Sequence, residues 1–162
     1  MKLSENFYLH EFLRSQTATR MGRDIEAPDW VIGNLRALCE NVLQPIRDHF
    51  TKNIDPDIRI YVSSGYRPEW LNKRIGGSKN SQHMKGQAAD FGLIGGPDEF
   101  GLYEASSEIA EFCAAYDQLI FEQSWIHISH SPFCRQQILS AEFRKTMFGR
   151  KTIYHNGLVQ FA

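Results

Sequence analysis

Several things are scarce in this 162-residue chain. No stretch approaches the about 20 consecutive apolar residues that a membrane-spanning helix needs, so no membrane partner is expected. The opening residues, Met1-Lys2-Leu3-Ser4-Glu5-Asn6, lack the apolar centre of a secretory leader. Synthesis in the cytoplasm is therefore expected, with any action outside depending on release by other means. Formal net charge is only −1 and there is no polybasic run, which argues against a sequence-independent grip on nucleic acid. Cysteine is limited to Cys39, Cys113 and Cys134, an odd number without a C-x-x-C pair. These read as free thiols in a reducing compartment, with a Cys113–Cys134 bridge as the alternative. Repeats, low-complexity tracts and linkers are also missing. One domain over residues 1–162, acting as a monomer, is the expectation.

What is present has ordinary globular composition, 42% apolar and 23% charged. A short helix is predicted from Tyr8 to Ser15. A longer one follows Ala27-Pro28-Asp29, because Pro28 suits a first helical position. Within it Val31, Leu35, Leu38, Val42 and Ile46 recur at helical spacing. Pro45 falls inside that pattern and predicts a kink or an early end. Ile58, Ile60 and Val62 alternate, which predicts a strand over Asp57–Ser63. Pro68 should open a short helix closed by Gly76-Gly77. A second strand is predicted at Ala88–Leu93 and a helix at Glu104–Tyr116. Gln118–Glu122 and Trp125–Ser129, separated by Gln123-Ser124, read as a hairpin. Asn156-Gly157 marks a turn in the tail. Helices mixed with antiparallel strands point to the α+β class.

Three polar residues stand out from this frame. His83 lies in a loop rich in Gly, Ser, Lys and Asn. Asp90 sits mid-strand between Ala89 and Phe91, where a half-buried carboxylate is costly unless it is paired or metal-bound. On Trp125–Ser129, alternation puts Ile126 and Ile128 on one face and His127 on the other. Each has an ordinary reading: an exposed loop histidine, a strand-end ion pair, a hydrogen-bonded sheet histidine. Together, two imidazoles and one carboxylate are the inventory of a catalytic zinc ion that keeps an open fourth position.

Ser81-x-His83-x2-Gly86-x-Ala88-x-Asp90, Ser63-Ser64-Gly65-Tyr66-Arg67 and Trp125-x-His127, in their order along the chain, resemble the motifs of the zinc D-Ala-D-Ala peptidase family. That family includes D-alanyl-D-alanine carboxypeptidases, vancomycin-resistance dipeptidases and phage endolysins. Ser4–Ser15 and Leu35–Arg47 are similar to leading segments of its phage-associated carboxypeptidase-like branch. The resemblance implies a small antiparallel sheet flanked by helices, with one Zn2+ held by His83, Asp90 and His127 in a cleft on the sheet. It implies Arg67 as a donor to the substrate carbonyl or developing oxyanion. Ser81, Tyr66 and Trp125 would contact substrate, with a loop hydroxyl and core roles as their plainer readings. The same two-His, one-carboxylate set could also hold Fe(II).

Members of that family commonly carry an acid three residues before the second histidine, and here that position is Ser124. The hairpin supplies another candidate. With a two-residue turn, Glu122 lies across from Trp125 and diagonal to His127, about 7–8 Å away along the backbones. A glutamate spans that gap, whereas Asp117 has the opposite parity. Glu122 is therefore the expected general base. The implied activity is zinc-dependent hydrolysis of peptide bonds in peptidoglycan stem peptides, by a carboxypeptidase or an endolysin-type endopeptidase. The alternative is a zinc-stabilised binding or structural module, such as a phage virion component, that keeps the metal site and lacks the base.

Overall fold

The computed structural model describes residues 1–147 and 149–161. The chain begins with two short helices, α1 (Leu9–Phe12) and α2 (Gln16–Arg20). A single short helix is predicted over Tyr8–Ser15; α1 ends at Phe12, and Ser15, whose backbone is extended and whose hydroxyl accepts from the Ala18 N–H, starts α2 beyond the predicted span.

The apolar stripe that follows forms α3 (Asp29–Leu38) and α4 (Gln44–Asn53), joined by a π-helical turn over Cys39–Leu43. The helix does not end early at Pro45; the α-helical ladder is interrupted just before it by the π turn. Leu38, Leu43 and Gln44 all keep right-handed helical dihedrals, and the Gln44 N–H donates to the Cys39 carbonyl five residues back. The wider turn lets the helix pass the N–H that Pro45 lacks. Val31, Leu35, Leu38, Val42 and Ile46 are all fully buried along this path.

The strands are β1 (Arg59–Ser64), β2 (Ala88–Ile94), β3 (Gln118–Phe121), β4 (Ile126–Ser129), β5 (Gln137–Thr146) and β6 (Gly149–Asn156). They form one six-stranded sheet in the order β1-β2-β4-β3-β5-β6. The expectation of a small, antiparallel sheet is corrected on both counts. Four strands are contributed where strands were predicted, but β5 and β6 extend the sheet, and β5 runs parallel to β3. Their sequences carry Arg144, Lys145, Arg150 and Lys151, so the apolar alternation that identifies a half-buried strand is weak there. The α+β class itself holds.

One face of the sheet is closed. Ala89, Phe91, Leu119, Ile126 and Ile128 join the core formed with α3, α4 and α6 (Leu102–Phe112). Alternation therefore sends Asp90, Ile120 and His127 to the other face, which the helices leave uncovered. α5 (Glu69–Arg74) follows Pro68, and its exit depends on glycine: a Cβ on Gly77 would fall 2.1 Å from Asn72 Oδ1. A 3₁₀ turn, Gln82–Lys85, then leads into β2. All three cysteines are free, and no helix among the described residues is long and apolar enough to cross a membrane.

Candidate metal centre

Sheet register brings two of the candidate ligands together. Asp90 on β2 lies directly opposite His127 on β4, and His127 also lies opposite Ile120 on β3. Cross-strand partners have side chains within reach of one another. The third candidate arrives from the 3₁₀ turn. Gly86 ends that turn with a left-handed φ of 66°, and a Cβ there would sit 2.8 Å from Val31 on α3. Only glycine allows the loop to close so tightly against the helix.

The resulting cluster is compact. His83 Nε2 is 3.2 Å from Asp90 Oδ1, His127 Nδ1 is 2.8 Å from the same oxygen, and the two nitrogens are 3.2 Å apart. His83 and His127 are buried, and the Asp90 side chain is 15% exposed. Zinc bonds of about 2.0–2.1 Å in a tetrahedron place ligand atoms about 3.3 Å apart. The donor set and its spacing therefore fit a single small divalent cation.

The ligand ring is oriented from behind. His83 Nδ1 lies 2.7 Å from the Gly65 carbonyl, which can only accept, so the proton is on Nδ1 and the Nε2 lone pair faces the cluster. The strip carrying Gly65 is itself fixed. The Tyr66 N–H donates to the Phe12 carbonyl at 2.8 Å and the Arg67 N–H to the His83 carbonyl at 3.1 Å. A Cβ on Gly65 would lie 2.6 Å from Phe12 Cα, so a side chain is excluded by backbone.

Electrostatics suit a cation as well. Burial pushes the His83 imidazole toward its neutral, metal-binding form. Burial alone would raise the Asp90 carboxyl, but His83 and His127 hold it well below the usual carboxylate range. Arg67 Nη2 is 3.8 Å from Asp90 Oδ2, and its buried Nε has no hydrogen-bond partner among the described residues. Glu122 follows β3, its N–H bonded to the Trp125 carbonyl at 3.0 Å across a two-residue turn in which Gln123 has φ 60°. Burial, and then the nearby Asp90 charge, push its carboxyl up to about 7.

A cleft of about 500 Å³ opens over the cluster. Arg67, Ser81, Glu122 and Trp125 line it together with the three ligand candidates. Tyr66 does not. It is buried in the core and its open edge borders a separate groove beside Trp30 and Met84. Ser124 is exposed in the hairpin turn. Asp117, set aside by parity, is buried and bonded to Arg135 and Gln82. Arg135 and Tyr154 are among the lining residues that the sequence did not bring to the site. Arg135 comes from the loop after β4, and Tyr154 comes from β6. Neither belongs to a motif, and nothing in the sequence placed β6 beside the cleft.

A buried His–Asp–His cluster beneath an open cleft on a mixed sheet is the arrangement of a metal-dependent hydrolase. Residues 5–129 match the family described as Peptidase M15, and the chain belongs to this family of zinc D-Ala-D-Ala carboxypeptidase-type peptidases. No curated protein matches the chain.

Proposed function

We propose that this protein is a zinc peptidase that hydrolyses bonds in the peptides of bacterial peptidoglycan, with His83, Asp90 and His127 as the metal ligands. The observation that carries the reading is the convergence of these three donors with Glu122 and Arg67 in one cleft. Bound there, zinc would supply Lewis-acid polarisation of the scissile carbonyl and of an attacking water.

The remaining work falls to side chains. Glu122 accepts the proton of the attacking water and passes it to the leaving amine, a task suited to a carboxyl whose pKa lies near neutrality. Arg67, which lines the cleft, offers guanidinium N–H donors to the oxygen on which negative charge develops. The pair with Asp90 fixes the guanidinium, so little reorganisation accompanies the reaction. Ser81 and Trp125 on the cleft wall contact the peptide. The enzyme acts on the wall after release from the cell that makes it, or as part of a virion.

Zymography on bacterial cell walls tests the proposal. Zinc-loaded protein should clear the gel. Glu122→Gln should retain zinc and lose about 10²–10⁴ of the rate. Full activity in that variant would move the base elsewhere. The position where relatives carry an acid is Ser124, and this favours a metal-stabilised binding module as the second reading. Zinc binding without digestion under any metal condition would establish it.

A further inference from the structure

Arg135 is held in place more firmly than a surface arginine needs to be. Its Nε lies 3.0 Å from Asp117 Oδ1 and 3.1 Å from Oδ2, and its Nη2 lies 2.6 Å from Oδ2. The Arg135 backbone N–H donates to the same carboxylate at 3.1 Å, as does Gln82 Nε2 at 3.0 Å. Asp117 is 1% exposed, so a buried carboxylate is wholly committed to fixing this one guanidinium and its neighbours. The arginine side chain itself remains 54% exposed and lines the metal cleft.

The backbone makes a second, independent statement. Cys134 has φ 40° and Gln136 φ 52°, so both neighbours of Arg135 occupy the left-handed region that residues with a Cβ avoid. Such conformations persist where surrounding structure over-determines them, and they concentrate at ligand clamps. Here they bracket the residue that faces the cleft. Asp117 engages the Nε and Nη2 side of the guanidinium, and Nη1 has no partner among the described residues. A cation fixed in orientation, with a free donor edge on a cleft wall, is a receptor for a planar anion.

We infer that Arg135 binds a carboxylate of the substrate. The inference rests on the peptidase reading and deepens it by naming the substrate group that the cleft selects. Peptidoglycan stem peptides present such a group in two places: the free C-terminus and the free carboxyl of a γ-linked glutamate. The first would make the enzyme a carboxypeptidase, the second an endopeptidase.

Calorimetric titration of zinc-loaded Glu122→Gln protein, in which turnover is slowed by about 10²–10⁴, distinguishes these sources. Two peptide pairs serve as probes: acetyl-Lys-D-Ala-D-Ala as acid and C-terminal amide, and an L-Ala-γ-D-Glu-Lys peptide with its glutamate α-carboxyl free or amidated. One pair should show an acid preference of about tenfold or more, the value of a charge-assisted hydrogen bond. Adding Arg135→Gln should erase that preference. Arg135→Lys keeps a charge beside Asp117, guards against a folding failure, and should weaken the preference because the fork is lost. The pair affected identifies the carboxylate. Equal affinity for acid and amide in both pairs, or a preference that survives both substitutions, overturns the inference. Thermal unfolding of each variant separates lost recognition from lost structure, since a merely structural arginine would not move the acid-to-amide ratio. Parallel zymography separates the two readings. Wall digestion without Arg135-dependent acid binding leaves the peptidase standing, and acid binding without digestion leaves only the carboxylate site.

Discussion

The floor of the cleft and its outer wall are built differently. The floor belongs to residues 5–129, the span matched by Peptidase M15, and consists of His83, Asp90 and His127 set by strand register and a glycine-closed turn. Arg135 and Tyr154 on the wall come from the segment after it, from a strained loop and an added strand. The floor histidines are buried, Asp90 is nearly so, and the three make short contacts with one another. Wall residues are exposed, and Arg135 is braced from behind by Asp117. On the proposed function this is a division of labour, in which the sheet would fix the chemistry and the appended segment would select what reaches it.

Asp90→Ala should give the largest effect of any single change, because it removes a proposed ligand from the centre of the cluster and strips Arg67 of its partner. Elemental analysis after dialysis should find no retained zinc. The fall in hydrolysis should exceed the about 10–100-fold typical for an outer hydrogen bond to a metal ligand. Full zinc occupancy in this variant would break the assignment of the floor as the metal site.

Gly65→Ala probes how the floor is oriented. The added Cβ would meet Phe12 Cα at 2.6 Å and its carbonyl oxygen at 2.7 Å, both backbone or near-backbone atoms that cannot swing away. A loss of about 1–3 kcal/mol in urea unfolding is expected from the overpacking. Zinc affinity should fall by about 10–100-fold as the carbonyl that fixes His83 Nδ1 shifts. Gly33→Ala is the matched control, since nothing lies within 4 Å of its Cβ position in α3. It should be stabilising by about 0.4–1 kcal/mol. Unchanged metal affinity in Gly65→Ala would mean that the ligand loop is held by something else.

The same division explains what the sequence disclosed. The long helical stripe, the alternating residues of β1 and the hairpin of β3 and β4 follow from side-chain periodicity, and periodicity is local. Asp90 and His127 stood out because a polar residue on an otherwise apolar strand is itself a signal, and the structure puts them opposite each other. Pro45 marked where the α-helical ladder changes but not how, since proline forbids one backbone N–H bond and a π turn supplies another path for the helix. β5 and β6 were illegible for a different reason. Their ladder pairs Arg144 with Lys151 and Lys145 with Arg150, and such pairing is visible only once the strands are aligned. Tyr66 was drawn to the cleft by its place in a motif, whereas strand and turn geometry carry its side chain into the core. Arg135 depends on a buried partner 18 residues away, a contact that no spacing rule contains.

The joint between floor and wall offers the smallest and most discriminating change. Asp117 accepts from Gln82, the neighbour of His83, and from Arg135 on the wall. The hydrogen bonds from Arg135 hold its carboxyl well below the ordinary value of about 3.9. A depressed folded-state pKa means that the ionised form favours folding. The contribution is therefore present above about pH 4 and is lost as pH falls through the folded value. Because Arg135 is half-exposed, water screens the pair. Asp117→Asn should cost about 1 kcal/mol at pH 7, the scale of a single net hydrogen bond, rather than the about 3–5 kcal/mol of a broken, fully buried pair. Wild type and variant should converge in denaturant midpoint as pH falls below about 4. Zinc affinity should stay unchanged, because His83 is oriented by Gly65 rather than through Gln82. A variant that loses zinc as well as Arg135-dependent binding would show that the wall positions the metal, and the separation of chemistry from recognition would fail.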